Sequence, residues 1–352
     1  MTAAAASSIA PPSLDRAALV AYLRRHLPGF DDETEIEIRQ FAGGQSNPTF
    51  SLSSRSGRYV LRKKPVGQLL PSAHAIEREF ALMRALHGLV PVPRTYLLCE
   101  DESVLGQAFY IMAFVDGRLL ADARMLEASR EERRSLSLEL VSVLARLHRV
   151  DYRAVGLETF GKPGGYIARQ LARLSKQYAA SRVEESADMD LLIRWLEDHL
   201  PGHDESAIVH GDYRSYNVLF AADAPRIAAV LDWELATIGH PLADLAFCCL
   251  PYHMSEHDPR GFHGDDPRNL GIPSEDELLD HYCRETGRGD LPDWRYFVVF
   301  SLFRSAAIRA GVYKRAFDGS AASPDALQAG RTYRDSAAAA ARLIRTTSWR
   351  RP

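Results

Sequence analysis

Hydrophobic and polar positions change their period several times along the chain. From Ser13, the residues Leu14, Ala18, Ala21 and Tyr22 recur at helical spacing until Pro28-Gly29 stops the run. Residues 35–41 (EIEIRQF) then alternate, with Ile36 and Ile38 on one face, which predicts a strand. Gly43-Gly44 turns the chain, 49–54 (TFSLSS) reads as a second strand, Ser56-Gly57 as a turn and 58–63 (RYVLRK) as a third strand. A helix is predicted from about Ala73 to His87, with Ile76, Phe80, Met83 and Leu86 on one stripe, followed by strands at 94–99 and 108–115. The first hundred or so residues thus spell a small sheet with one inserted helix.

After Asp116-Gly117 helical spacing dominates. Residues 130–149 place Leu136, Leu140, Val143, Leu144 and Leu147 on one face, and helical patterns recur at 166–180, 188–200, 275–286, 293–315 and 325–345. Ser274 with Glu277 forms a capping box, and Gly287 suits a helix stop. Between these helices, 207–235 reads as two short strand-and-loop elements. The Pro-, Gly-, His- and Asp-rich stretch 253–273 reads as a long loop, a type of segment often used as a lid or binding element. The expected organisation is a loose tail over 1–12, an N-terminal lobe over 13–116 and a C-terminal lobe over 117–352.

Composition narrows the class. With 352 residues, 46% hydrophobic and 25% charged, the chain has enough apolar mass for two cores. A net charge of -3 makes no case for nucleic acid. The four cysteines, Cys99, Cys248, Cys249 and Cys283, do not fall at zinc-ligand spacing, so a reducing, cytoplasmic setting is the simplest expectation. The first residues lack a basic region and a long apolar run, and no apolar stretch reaches membrane-spanning length, so neither a signal peptide nor a membrane partner is expected.

The chemistry concentrates in His210-Gly211-Asp212-Tyr213-Arg214-Ser215-Tyr216-Asn217, an H-x-D-x-x-x-x-N pattern followed fifteen residues later by Asp232 at the end of an apolar run. Phosphoryl transfer needs a carboxylate to orient or accept the acceptor's proton, and oxygen ligands to hold Mg²⁺ against the phosphates. One loop presenting Asp212 and Asn217 supplies the base and one metal ligand; Asp232 supplies the other, in the role of the metal-binding aspartate of kinases. Asp and Asn are also ordinary turn residues, but the full spacing between apolar strands is specific.

The N-terminal sheet carries matching candidates for the nucleotide. In the Gly43-Gly44-Gln45-Ser46-Asn47 loop, Ser46 and Asn47 are placed to cover the triphosphate, although a plain hairpin turn has the same composition. Arg62 stands where kinases carry a phosphate-reaching lysine, with Lys63 and Lys64 beside it. Its expected partner is Glu79 on the next helix, with Glu77 as the second choice. Backbone groups of Ala113 and Val115 are candidates for the adenine edge. Asp244 is read as a helix cap or a brace beneath the catalytic loop, His210 and His148 as packing and hydrogen-bonding residues, Trp233 as core, and Glu234 as a surface residue.

The motifs FAGGQSN, YVLRKKP, REFALMRAL, VPVPRTY, LARLHRVD, IVHGDYRSYNVLF and VLDWELATIGHPLADLAF run in order through the chain. Together they resemble the aminoglycoside phosphotransferase family, within the kinase-like superfamily that also holds choline and homoserine kinases. The resemblance implies an α+β, bilobal protein-kinase-like fold: a small antiparallel-sheet lobe and a larger, mainly helical lobe. It implies ATP and Mg²⁺ as cofactors and a small-molecule hydroxyl as acceptor. GIPSEDELLDHYCRETGR and FSLFRSAAIRAGVYKRA are similar to a narrower branch, the phosphotransferase domain that some eukaryotes fuse to an acyl-CoA dehydrogenase, which implies a hydroxyacyl-CoA acceptor.

Two departures from the family stand out. Tyr213-Arg214-Ser215-Tyr216 replaces a common Leu-His-Pro-Gly, and His240 stands where an acidic or amide residue is common. Residues 301–352 hold ten Arg and Lys against three Asp, which favours an anionic acceptor over a polycationic one. The competing expectations are an antibiotic kinase and a silent nucleotide-binding protein. A protein kinase is disfavoured because Asp232 is followed by Trp-Glu, and no A-P-E segment follows it.

Overall fold

The computed structural model describes residues 14–30, 36–41, 47–65, 75–120, 122–320 and 325–346. The chain divides into two compact units, residues 1–116 with 228–234, and residues 117–227 with 235–352. The segment carrying Asp232 therefore groups with the N-terminal unit and not with the sequence around it.

The first unit is built on a five-stranded antiparallel sheet of β1 (Glu37–Gln40), β2 (Thr49–Ser54), β3 (Gly57–Lys63), β4 (Thr95–Cys99) and β5 (Phe109–Ala113), in the order β1-β2-β3-β5-β4. Alternation along β2 puts Phe50 and Leu52 in the core and leaves Thr49, Ser51 and Ser53 on the other side. Helix α1 (Arg16–His26) is capped by Asp15, which accepts from the Ala18 N–H, and lays Leu19 and Leu23 into the same core. Helix α2 (Ile76–Leu86) packs on β4 and β5 through Ile76, Leu82, Met83 and Leu86. The predicted apolar stripe included Phe80; in the structure Phe80 is half-buried, and Glu79 takes a fully inward place beside it. A single turn, α3 (Glu102–Leu105), was not legible in the sequence.

The second unit is mainly helical. Helix α4 (Arg130–Arg149) begins at a capping box of Ser129 and Glu132; α5 (Tyr166–Ser181) and α6 (Ala187–Asp198) follow. Short strands β6 (Ala207–Val209), β7 (Val218–Phe220), β8 (Ile227–Val230) and β9 (Thr237–Gly239) come next; β8 runs on into the 228–234 segment of the first unit, and β6 pairs antiparallel with β9. Helices α7 (Pro241–Cys248) and α8 (Glu275–Thr286) precede α9 (Trp294–Phe317). α9 is buried on nearly every side over its first eighteen residues, because α5, α6, α7 and the two last helices surround it. Those last two are α10 (Ala326–Arg331) and α11 (Tyr333–Arg345), where the spacing had predicted one continuous helix. The capping box at Ser274 and Glu277 and the left-handed Gly287 close α8 as predicted. Among the described residues, no helix is long and apolar enough to cross a membrane.

Candidate active site

The loop from His210 to Asn217 links β6 to β7 and ends in one 3-10 turn over Ser215–Asn217. Asp244, in the first turn of α7, holds it from beneath: its carboxylate accepts from the His210 N–H at 2.6 Å and the Gly211 N–H at 2.9 Å. Burial works against charge on Asp244, yet nearby His148 and the His210 backbone hold its carboxyl below the usual range. His148 Nε2 lies 3.6 Å away, too far for a hydrogen bond, while its Nδ1 is 2.7 Å from the Tyr282 hydroxyl. Gly211 has φ +83°, and a Cβ there would meet the Leu235 carbonyl oxygen at 2.7 Å, so only glycine fits. Its own carbonyl accepts from Arg304 of α9. His210 is fully buried and accepts from the Asp212 N–H through Nδ1 at 3.2 Å. Tyr213, the first departure from the family pattern, is also fully buried and donates to the Leu140 carbonyl at 2.8 Å, so that substitution serves loop packing.

This scaffold presents a definite geometry at Asp212. Its Oδ2 accepts from Asn217 Nδ2 at 2.7 Å and from Arg214 Nη2 at 3.1 Å. Asn217 Nδ2 also donates to the Asp212 carbonyl at 2.9 Å, which leaves Oδ1 as the amide's acceptor end. Among the described residues, Oδ1 of Asp212 accepts no hydrogen bond. A carboxylate clamped through one oxygen, with the other unengaged, is arranged to orient a hydroxyl and take its proton.

A pocket lies against the same loop, lined by Arg214, Ser215 and Tyr216 and enclosing about 60 Å³. Its other walls are mostly apolar, among them Leu140, Leu250 and Phe262. Arg214 and Arg260 are the charged side chains among the described lining residues. Arg260 comes from the 253–273 loop, which Asp258 fastens to α9: the buried Asp258 carboxylate accepts from Arg260 at 3.0 Å and from Arg309 at 2.9 Å.

In the first unit, Arg62 on β3 is nearly buried, with 11% of its side chain exposed. Its Nε lies 3.1 Å from Glu79 Oε2, an ion pair without hydrogen-bond alignment, and its Nη2 donates to Asp232 Oδ1 at 3.1 Å. Glu234 Oε2 stands 3.6 Å from the same nitrogen. Burial opposes the Arg62 charge, but Glu79, Tyr110 and Asp232 more than offset it, and its pKa is raised. Burial pushes the Glu79 carboxyl up despite Arg62 and a hydrogen bond of 3.1 Å from the Tyr110 hydroxyl. Lys64, just past the end of β3, pairs with Glu77, so both helix glutamates hold a cation from this stretch. Burial lowers the pKa of Lys63.

Asp232 has φ +62° without being glycine; its side chain is 39% exposed. Residues held in that left-handed region store strain and cluster at functional sites. Trp233 is core, with its indole N–H on the Val230 carbonyl at 3.0 Å.

The remaining predicted site residues fall unequally. Ser46 lies outside the described residues. Asn47 is fully buried and donates to Glu79 Oε1 at 3.2 Å, so its amide serves the glutamate. The Ala113 N–H donates to the Arg94 carbonyl at 2.8 Å, so that one of the backbone groups expected at an adenine edge is engaged elsewhere; Val115 lies just past the end of β5. Tyr110 escaped the sequence reading, although it faces Arg62 across β3 and β5. Three of the basic C-terminal residues pair internally: Arg309 with Asp258, Arg334 with Glu184 and Arg345 with Asp188. They do not carry the argument for an anionic acceptor.

The profile of the phosphotransferase enzyme family matches residues 37–297, a span from β1 to the first turn of α9 that takes in Arg62, Glu79, Asp212, Asn217 and Asp232. The chain belongs to the phosphotransferase enzyme family. A structure from Ralstonia eutropha JMP134, named "putative aminoglycoside phosphotransferase", is 44% identical, with a TM-score of 0.85 over 94% of this chain and 98% of that one. An aminoglycoside phosphotransferase in ternary complex with ADP and hygromycin B is 17% identical, with a TM-score of 0.57 over 89% of this chain and 96% of that one, a likeness of fold alone. Acyl-CoA dehydrogenase family member 10 of Mus musculus is 44% identical over 319 residues, which are 89% of this chain and 30% of the relative. The chain spans less than half the length of the curated relatives it matches. As in other phosphotransferases of this family, the fold is kinase-like, a mixed helix-and-sheet architecture with a five-stranded antiparallel sheet.

Proposed function

We propose that this phosphotransferase moves the γ-phosphoryl group of ATP onto a hydroxyl of a small molecule. The carrying observation is the one-sided clamp on Asp212: Oδ2 held by Asn217 and Arg214, Oδ1 unengaged. In the proposed step Oδ1 takes the hydroxyl proton as the acceptor oxygen bonds to the γ-phosphorus. The bond from that phosphorus to the β–γ bridging oxygen breaks, and ADP leaves with the electron pair. Arg62, backed by Glu79, Tyr110 and Asn47, is assigned to the α- and β-phosphates. Ser46 stays assigned to the triphosphate by motif alone, and Val115 to the adenine edge.

Mg²⁺ is assigned to Asn217 and Asp232. The donor set fits: an amide carbonyl whose nitrogen is already committed, and a partly exposed carboxylate, both hard oxygens. Bound there, the ion would neutralise phosphate charge.

The acceptor is proposed to be a hydroxyacyl-CoA. The pocket beside the catalytic loop has two arginines and no acid on its described walls, which disfavours a polycation, and its apolar lining favours a short acyl group over a large polar one in a cavity of about 60 Å³. The acyl-CoA dehydrogenase relative supports the same reading, as a proposal only, since the match covers 30% of it. An aminoglycoside acceptor is the second reading, favoured by the structural neighbour holding hygromycin B. A parallel screen with Mg–ATP decides between them: hydroxyacyl-CoA-dependent ADP release is expected. Turnover confined to aminoglycosides would contradict the acyl assignment.

A further inference from the structure

Arg214 is the charged residue that belongs both to the catalytic loop and to the pocket wall. Its guanidinium donates through Nη2 to Asp212 Oδ2 at 3.1 Å and lies 5.3 Å from the Tyr216 ring centroid. Its Nε is buried and has no hydrogen-bond partner among the described residues, a state that costs free energy unless another interaction fixes the group there. A cation 3.1 Å from the proposed proton acceptor is not neutral to its chemistry. It selects which carboxylate oxygen is engaged and holds the carboxylate in one orientation beside the pocket.

We propose that Arg214 is a positioning residue for the reaction: with Asn217 it fixes Asp212 through Oδ2, so that Oδ1 alone meets the acceptor. Asn217 contributes an uncharged bond from within the loop, whereas Arg214 reaches Asp212 from the pocket side and brings charge. The two supports are therefore not redundant. A guanidinium also holds a fixed planar fork, which a lysine ammonium cannot reproduce.

The inference rests on the phosphotransfer reading, and it is testable before the acceptor is known, with water standing in for the acceptor hydroxyl. Mg–ATP hydrolysis by the full chain is followed as ADP release for the unaltered protein, Arg214→Ala and Arg214→Lys. Arg214→Ala is expected to lower kcat about 10- to 100-fold while leaving KM for ATP within about twofold. Arg214→Lys should recover only part of the loss, and millimolar guanidinium chloride should raise the rate of Arg214→Ala and not of the unaltered protein. Undiminished kcat in Arg214→Ala overturns the inference while leaving the phosphotransfer reading intact. A loss shared equally by kcat and thermal stability, with no guanidinium rescue, assigns Arg214 to folding and also overturns it. Absence of ADP release from the unaltered protein contradicts the phosphotransfer reading itself, and this inference with it.

Discussion

Single side chains set the state of the catalytic loop. Asp244 collects two loop N–H groups on one buried carboxylate. Asp244→Ala would strand both donors, and the expected cost is about 3–5 kcal/mol, read as a fall in the urea midpoint. His240 makes a separate, pH-dependent contribution. Burial depresses its pKa from 6.5 to about 4, and its neutral Nδ1 caps α7 by accepting from the Leu242 N–H at 3.2 Å. The unfolded chain binds this proton more readily than the folded one. Stability is therefore complete above about pH 6.5 and lost as pH falls toward 4, by at most about 3 kcal/mol. His240→Asn keeps a capping acceptor without a titrating group, so its denaturation midpoint should decline less over that window. An equal decline in both proteins would place the acid sensitivity elsewhere.

At the scale of elements, what the sequence made legible depends on how local the cause is. The spacing of α4 and α8, the capping box of α8 and the β2–β3 hairpin are written within a few residues of each other, and they were readable. So was the choice of Glu79 for Arg62, since strand and helix periodicity settle which faces meet. The break between α10 and α11 was not, because its cause lies across the fold. Gly330 packs against the backbone of Tyr313 in α9, and the Thr332 hydroxyl donates back to Ala329 at 2.7 Å while receiving Arg309. A Cβ at Gly330 would sit 2.6 Å from the Tyr313 Cα, so Gly330→Ala should destabilise by about 1–3 kcal/mol, measurable as a lowered Tm. An unchanged Tm would mean that α10 shifts freely on α9. Asn47 and Ala113 show the same limit: a loop motif and a strand end named them, but the Asn47 amide donates to Glu79 and the Ala113 N–H to Arg94, partners distant in sequence.

For the whole molecule, the motif order recovered the family and the kinase-like fold, because the apolar strands and the loop between them must recur together for the chemistry to work. The partition of the chain was less legible. Residues 228–234, though distant in sequence, group with the N-terminal sheet, bringing Asp232 to Arg62 and Val230 to Pro91. Sequence order alone carries no signal for that return. The acceptor argument also moved, from basic residues near the C-terminus, of which Arg309, Arg334 and Arg345 are internally paired, to an apolar pocket flanked by Arg214 and Arg260. The most direct measurement of the account compares Mg–ATP turnover by the full chain with that of Asp212→Asn, alongside nucleotide binding by thermal shift. Phosphoryl transfer should fall about 10²- to 10⁴-fold while the nucleotide-induced shift persists. Turnover by Asp212→Asn at the rate of the unaltered protein would contradict the account.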